Sequence, residues 1–380
     1  MATGEATREV NDAPTNKPTD ATSLDELDNA LLNELQWNFP LDARPFDLLA
    51  DRLGVTTETV IGRIEKVKAA GVLRQLSAIF DTRALGYKSS LVAAKVDPDR
   101  IDQAALRLNE HPGVSHNYKR NHEFNLWYTL AVPPDDSFDD HVAVLHKVSE
   151  AESTRVLPTL KLFKIGVKLD MTGKQKPSDK TEVEENERPD IWIRTQAPPL
   201  DQIEIQAVRV LQEDLPVIRE PFEAEAAAIG ISGAELLELA RDFLRRKIMR
   251  RFAAVMNHRS AGFKANAMAV WKVEEPQVEE VGYRMAEFAA VSHCYRRPTY
   301  PDWPYSIFTM LHGRNAREIE QAVQAISEET GVREYALLWS VKEYKKVRVR
   351  YFTEEWDLWA SRYLGTDAAR CPSTEQASRK

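Results

Sequence analysis

Val114-Ser-His-Asn-Tyr-Lys-Arg120 and Val291-Ser-His-Cys-Tyr-Arg-Arg297 are two versions of one motif, and the match extends outward through most of the chain. Upstream, Leu24 and Asp25 match Leu200 and Asp201, Pro45 and Phe46 match Pro221 and Phe222, and Gly54 matches Gly230 without an intervening gap. In the same register Arg74 meets Arg250, Arg83 meets Arg259 and Gly86 meets Gly262. Solenoid repeats run about 20 to 50 residues, so a repeat this long is a duplicated domain. Residues 171–199, between the copies, are rich in Lys, Glu, Asp and Pro and poor in apolar side chains, which is the composition of a solvated linker.

Composition bounds the class. A chain of 380 residues that is 43% hydrophobic and 29% charged is a globular protein of two or three domains, not a fibrous or wholly disordered one. It has no run of about 18 uncharged apolar residues, which excludes a membrane-spanning helix. Residues 1–22 lack the apolar stretch of a signal peptide and read as a polar disordered arm, so a cytoplasmic protein is expected. Cys294 and Cys371 are too few for a disulfide framework or a cysteine-built zinc site. The net charge of -8 gives no global attraction to nucleic acid or anionic membrane, so any anionic ligand must be held by a local cluster of Arg, Lys and His.

Within each copy the apolar period changes. Leu24, Leu27, Leu31, Leu32 and Leu35, then Phe46, Leu49 and Leu53, then Val60, Ile64 and Val67 follow helical spacing. Gly54 stands where a helix C-cap falls and Thr56 or Thr57 can start the next helix; Gly230 and Ser232 repeat this in the second copy. Three helices with a glycine turn form a helix-turn-helix, and the segments around Arg74 and Arg250 are predicted to form a small wing. Strand-like runs at 89–96, 125–132 and 160–169, with helical runs at 99–109 and 138–148, then give the split βαβ order of a ferredoxin-like sandwich. The fold class is therefore α+β: a duplicated winged helix-turn-helix plus ferredoxin-like (βαββαβ) unit, a pseudo-dimer in one chain. The expected domains are an arm (1–22), helix-turn-helix 1 (23–75), sandwich 1 (76–170), linker (171–199), helix-turn-helix 2 (200–251), sandwich 2 (252–352), and a C-terminal helix and tail (353–380).

This layout, with Leu24, Asp25 and Asp28 at its start, resembles the Lrp/AsnC regulators. A closer resemblance rests on Arg250-Arg-Phe-Ala-Ala-Val-Met-Asn-His-Arg259, Gly262-Phe263, Ala265-Asn-Ala-Met268, the motif Val291–Pro298 and Trp303-Pro304-Tyr305. These stretches resemble the siroheme decarboxylases, Lrp-like enzymes of heme d1 and alternative heme biosynthesis, with two related subunits fused. The resemblance implies removal of CO2 from two acetate side chains of siroheme, giving 12,18-didecarboxysiroheme, with no cofactor beyond the substrate's own iron. It implies siroheme as partner, other heme d1 pathway enzymes and a homo-oligomer as further partners, and neither DNA nor membrane.

Siroheme is a flat macrocycle carrying eight carboxylates, so its site needs Arg and Lys for the rim and apolar walls for the ring. An acid must deliver the proton that replaces CO2, and His suits neutral pH. His116 and His293 recur at one repeat position, and strand alternation puts each on a face with Tyr118 and Arg120, or Tyr295 and Arg297. They are the expected acids; the bland alternative is a solvated strand face. His258, whose repeat counterpart is Thr82, is the candidate for a third acid or an iron-facing group, without a permanent metal site. Arg74, Arg250, Arg251, Tyr118, Lys119, Arg120, Tyr295, Arg296, Arg297 and Trp303 are the expected substrate-binding residues. Lys161, Lys164 and Lys168, with Lys342, Lys345 and Lys346, read mostly as a solvated face. The rivals are an Lrp/AsnC-like DNA-binding transcriptional regulator and a non-catalytic tetrapyrrole carrier. Against the regulator, the recognition helices at 57–68 and 233–247 each sum to only about +1, weak for neutralising several phosphates.

Overall fold

The protein is described by a computed structural model that covers residues 24–165, 179–180, 199–256 and 265–365. The expected arm, almost all of the linker, Lys168 and His258 lie outside the described residues.

In the first copy, α1 (Glu26–Trp37), α2 (Pro45–Leu53) and α3 (Thr57–Ala69) form the helix-turn-helix. Local chemistry sets each boundary. Asp25 and Asp28 close a capping box on α1, Gly54 ends α2 at φ 67°, and the Thr56 hydroxyl accepts from Thr59 N–H at the start of α3. The second copy repeats this in α6 (Gln202–Leu211), α7 (Pro221–Ala227) and α8 (Gly233–Arg245), with capping boxes at Asp201 and Ser232. Arg44 and Glu220, the N-caps of α2 and α7, form an ion pair with each other at 2.7 Å. They are repeat equivalents, so the pseudo-twofold axis passes between them.

The expected wings are replaced by a shared ribbon. β1 (Leu73–Phe80) pairs antiparallel with β7 (Met249–Met256), so the strand after each helix-turn-helix uses the other copy's strand as its partner. Two open edges that would each expose backbone N–H and C=O groups thereby satisfy one another. One apolar core then unites Leu35, Phe46 and Ile64 of the first copy with Leu211, Phe222 and Phe243 of the second.

The sandwiches go further and exchange strands. The nine-stranded sheet runs β5-β2-β4-β3-β11-β8-β10-β9-β6. β2 (Lys88–Lys95), β3 (Val114–Arg120), β4 (Leu126–Val132) and β5 (Ser153–Leu157) make the first sheet, backed by α4 (Ile101–Asn109) and α5 (Phe138–Val148). β8 (Ala265–Trp271), β9 (Val291–Arg296), β10 (Ile307–Gly313) and the first half of β11 (Tyr335–Lys346) make the second, backed by α9 (Val278–Ala286) and α10 (Ala316–Thr330). The rest of β11 crosses to pair with β3, and β6 (Lys161–Ile165) crosses the other way to pair with β9.

The sequence placed the closing strand of the first sheet at 160–169, but β5 closes it and β6 belongs to the other copy's sheet. Pro158 separates them, and the polar Ser153-Thr-Arg155 start of β5 hides its strand character. The helix-free faces meet in a shared core of Trp127, Phe124, Leu157, Trp303, Phe308 and Leu338. α11 (Glu354–Leu364) then returns to the first copy, where Trp359 joins its core.

Candidate active site

The duplicated motif forms β3 and β9, and alternation presents His, Tyr and Arg of each on one face. The His116 and Tyr118 ring centroids lie 6.3 Å apart, and those of His293 and Tyr295 6.0 Å apart. Arg120 lies 5.7 Å from the Tyr118 ring centre and Arg297 4.9 Å from that of Tyr295. Each histidine is fixed by the serine before it: Ser115 Oγ is 3.0 Å from His116 Nδ1, and Ser292 Oγ 2.9 Å from His293 Nδ1. Nε2 is then the nitrogen left for proton exchange with a ligand.

Both imidazoles are held neutral at pH 7. Burial lowers the His116 pKa, assisted by Lys346 and opposed by Glu343. Burial pushes His293 down to about 4, helped by His312 and Lys164.

Two cavities adjoin these strands. The larger, about 560 Å³, is lined by His116, Ser115, Arg74, Arg348, Tyr351 and Thr82 among others. Arg74 and Arg348 have no carboxylate partner among the described residues, and burial with the nearby Arg74 and Arg251 lowers the Arg348 pKa. Arg251 sits 4.7 Å from the Trp37 ring centre and is itself lowered by burial and Arg250. The smaller cavity, about 340 Å³, is lined by Arg83, Arg250, Arg297, Tyr295 and Lys161. There Arg250 is held by Asp81 at 2.7 Å and Lys161 by Glu279 at 2.8 Å. Thr82 lines both cavities and its hydroxyl lies 2.7 Å from that of Tyr351.

The structure thus brings His116 and Arg74 to one cavity and Arg250, Tyr295 and Arg297 to the other, with Tyr118, Arg120 and His293 on the same strand faces. It does not bring in Arg296, which lies on the helix side of its sheet and pairs with Glu275. Lys119, its repeat equivalent, alternates to the same side of β3, where its charge acts on Asp102 of α4. Trp303 lines neither cavity; it is wholly buried between the sheets, 5.2 Å from the Trp127 ring centre and 5.2 Å from that of His122.

Sequence reasoning missed Arg83 of the smaller cavity and Arg348 of the larger, which Arg350 also lines while paired with Glu213 and Glu355. Arg83 carried a signal, its match to Arg259 in the repeat. The Lys345-Lys-Val-Arg-Val-Arg350 alternation carried another, which the reading of Lys342, Lys345 and Lys346 as mostly a solvated face passes over. That reading also fails for Lys164 and Lys345. Lys164 is buried and donates to the Phe288 carbonyl, and Lys345 donates to those of Asn109 and His111. Among the described residues no cluster of His, Cys, Asp or Glu could hold a metal ion, and no helix is long and apolar enough to cross a membrane.

Fold and cavities together define a fused pair of helix-turn-helix and AsnC-like ligand-binding units. Family models agree: an AsnC-like ligand binding domain matches residues 84–164 and 260–345, and a siroheme decarboxylase NirDL-like HTH domain matches 28–74 and 204–250. The chain is 41% identical to the siroheme decarboxylase of Hydrogenobacter thermophilus over 87% of its own length and 96% of the relative's. It is 30% identical to the siroheme decarboxylase NirDL subunit of Paracoccus pantotrophus over 80% and 90% respectively. The crystal structure of the siroheme decarboxylase NirDL superposes with a TM-score of 0.72 at 35% identity, covering 90% of this chain and 99% of that one. A NirDL co-complex with an iron-uroporphyrin III analogue matches equally, at 34% identity. The chain belongs to the siroheme decarboxylase family of carboxy-lyases.

Proposed function

We propose that this chain removes CO2 from two acetate side chains of siroheme to give 12,18-didecarboxysiroheme. The observation that carries the reading is the pairing of a neutral, serine-oriented His116 with a cavity whose Arg74 and Arg348 lack carboxylate partners. A polycarboxylate fits such a place, because guanidinium groups take carboxylates in bidentate pairs and stay charged when half-buried. Membership of the family, and the iron-uroporphyrin III analogue bound by the NirDL neighbour, support the same ligand class.

In the chemistry, the carboxylate carbon leaves as CO2, its bonding electrons remain on the methylene carbon and drain into the macrocycle, and one proton completes the methyl group. His116 at the larger cavity and His293 at the equivalent strand position supply those protons. Arg74 and Arg348 hold rim carboxylates at the larger cavity, with Arg251 adding charge from outside its lining; Arg250 takes one at the smaller cavity by exchanging it for Asp81, and His258 serves as a further acid or iron-facing group. The ligand-free histidines are neutral because burial and neighbouring cations lower their pKa values. A bound polyanion cancels those cations, raises the imidazole pKa values and so draws in the protons that the reaction consumes.

No separate cofactor is needed, since the iron belongs to the substrate. Nor is DNA a partner on this reading. On α3, Arg63 and Lys66 are tied to Asp28 and Lys68 to Asp214; on α8, Arg241 is tied to Glu238 and Arg245 to Asp242. Recognition helices whose cations are already paired offer little to phosphates. Anaerobic incubation with siroheme, followed by mass spectrometry, tests the reading. Loss of two CO2 units supports it, and unchanged siroheme bound to the protein would leave a carrier.

A further inference from the structure

Arg120 and Arg297 share a feature that substrate binding does not explain. Arg120 Nη1 donates to the Leu338 carbonyl at 2.8 Å, and Arg297 Nη1 donates to the Leu157 carbonyl. Leu338 faces Met268 across β11 and β8, as Leu157 faces Leu91 across β5 and β2, so the two acceptors are repeat equivalents. Each arginine of one copy is therefore bonded to the main chain of the other copy. Lys164 and Lys345 make the matching bonds in reverse, from the crossing strands to the Phe288 and His111 carbonyls.

Both guanidinium groups are buried, and burial lowers each pKa to about 10. Among the described residues, neither Nε has a hydrogen-bond partner. An arrangement with one orphaned N–H per arginine costs stability and would not recur in both copies without a return. The return visible here is geometric: each guanidinium lies over the tyrosine that flanks the histidine of its own strand.

We propose that Arg120 and Arg297 are positioning residues, each fixing the His-Tyr face of its own copy to the backbone of the other, so that neither histidine site is set by one copy alone. This rests on the siroheme reading for the identity of the reaction, but not for the coupling itself. Arg120 sets His116 through Tyr118, against Lys346 and Glu343 on the crossing β11. Arg297 sets His293 through Tyr295, against His312 on β10 and Lys164 and Ile165 on β6.

The test uses the full chain with Arg120→Met, Arg120→Lys, Arg297→Met and Arg297→Lys. In the ligand-free protein, imidazole Cε1–H NMR titrations are followed; Arg120→Met is expected to move the His116 titration and leave His293 in place, and Arg297→Met the reverse. With iron-uroporphyrin III as probe, Kd should stay within about threefold of the parent. Single-turnover siroheme decarboxylation should fall by about tenfold or more, with the Lys variants recovering part of it.

A tenfold weaker Kd with an unchanged saturated rate would overturn the proposal in favour of direct carboxylate binding. Unmoved titrations with an unchanged rate would overturn it in favour of a purely structural bond. Should a Met variant fail to fold, the Lys variant, which keeps charge but loses the planar fork, decides by the same readouts. If the parent chain leaves siroheme intact, the siroheme reading falls while the NMR titrations still decide the arginines.

Discussion

The two copies carry the same His-Tyr-Arg strand face but place it in different electrostatic settings. Beside His116 the crossing strand presents Lys346; beside His293 it presents Ile165. Register pairs Tyr118 with Glu343 but Tyr295 with Leu162. On the other flank Val114 faces Leu130 and Val291 faces Leu311, so Ala131 in the first copy corresponds to His312 in the second. The first strand face thus has charged neighbours on the crossing strand and a cavity of about 560 Å³ lined by His116, while the second has apolar neighbours there and a histidine that is harder to protonate. Duplication preserved the scaffold, and substitutions on the exchanged strands separated the two sites.

The sharpest way to break that comparison is to remove each imidazole. His116→Ala is expected to slow decarboxylation by about a hundredfold or more, the usual contribution of a general acid. His293→Ala should slow it less and let a monodecarboxylated product accumulate, read by mass spectrometry of timed samples. Equal, near-parental rates for both would remove the histidines from the chemistry.

Removing charge tests the cavities next. Arg74→Ala and Arg348→Ala should each weaken iron-uroporphyrin III binding by about tenfold, the scale of one lost charge-assisted hydrogen bond. Arg83→Ala, in the smaller cavity, should have a lesser effect. Binding that is indifferent to both substitution and salt would place the ligand elsewhere.

Proton linkage gives a third measure. Ligand binding should take up protons, visible by calorimetry as a heat that depends on the buffer's ionisation enthalpy. His312→Ala, which copies Ala131, should raise the His293 titration from about 4 toward its ordinary value.

The smallest effect on activity is expected at a buried histidine pair confined to the first copy. Gly113 N–H donates to His111 Nδ1 at 2.9 Å, so His111 Nε2 carries the proton and donates to His141 Nδ1 at 2.8 Å. Trp359 of α11 packs on both rings, at 4.1 Å and 4.9 Å between centroids. Burial, His141 and Lys345 depress the His111 pKa. A depressed folded pKa means that this stability is complete above the unfolded value, about 6.5, and fades as pH falls below it. Thermal scans from pH 7.5 to 5 should show Tm falling with acid, and less steeply in His111→Phe, which copies Phe288 of the second copy.

Much of this protein was legible in its sequence. The repeat, the helix stop at Gly54, the helix starts at Thr56 or Thr57 and at Ser232, and the strand face shared by His, Tyr and Arg depend on residues within a few positions of one another. Local hydrogen bonding and strand period fix these, and both can be read along a chain. Tertiary structure alone decided who pairs with whom. β1 took β7 instead of folding back as a wing, and β6 and β11 crossed to the other copy. Lys164 went inside, Lys345 reached the carbonyls of Asn109 and His111, and Arg120 and Arg297 turned to carbonyls more than a hundred residues away. Those choices follow from open sheet edges and buried cations finding their nearest backbone partners in space, a quantity that sequence spacing does not contain.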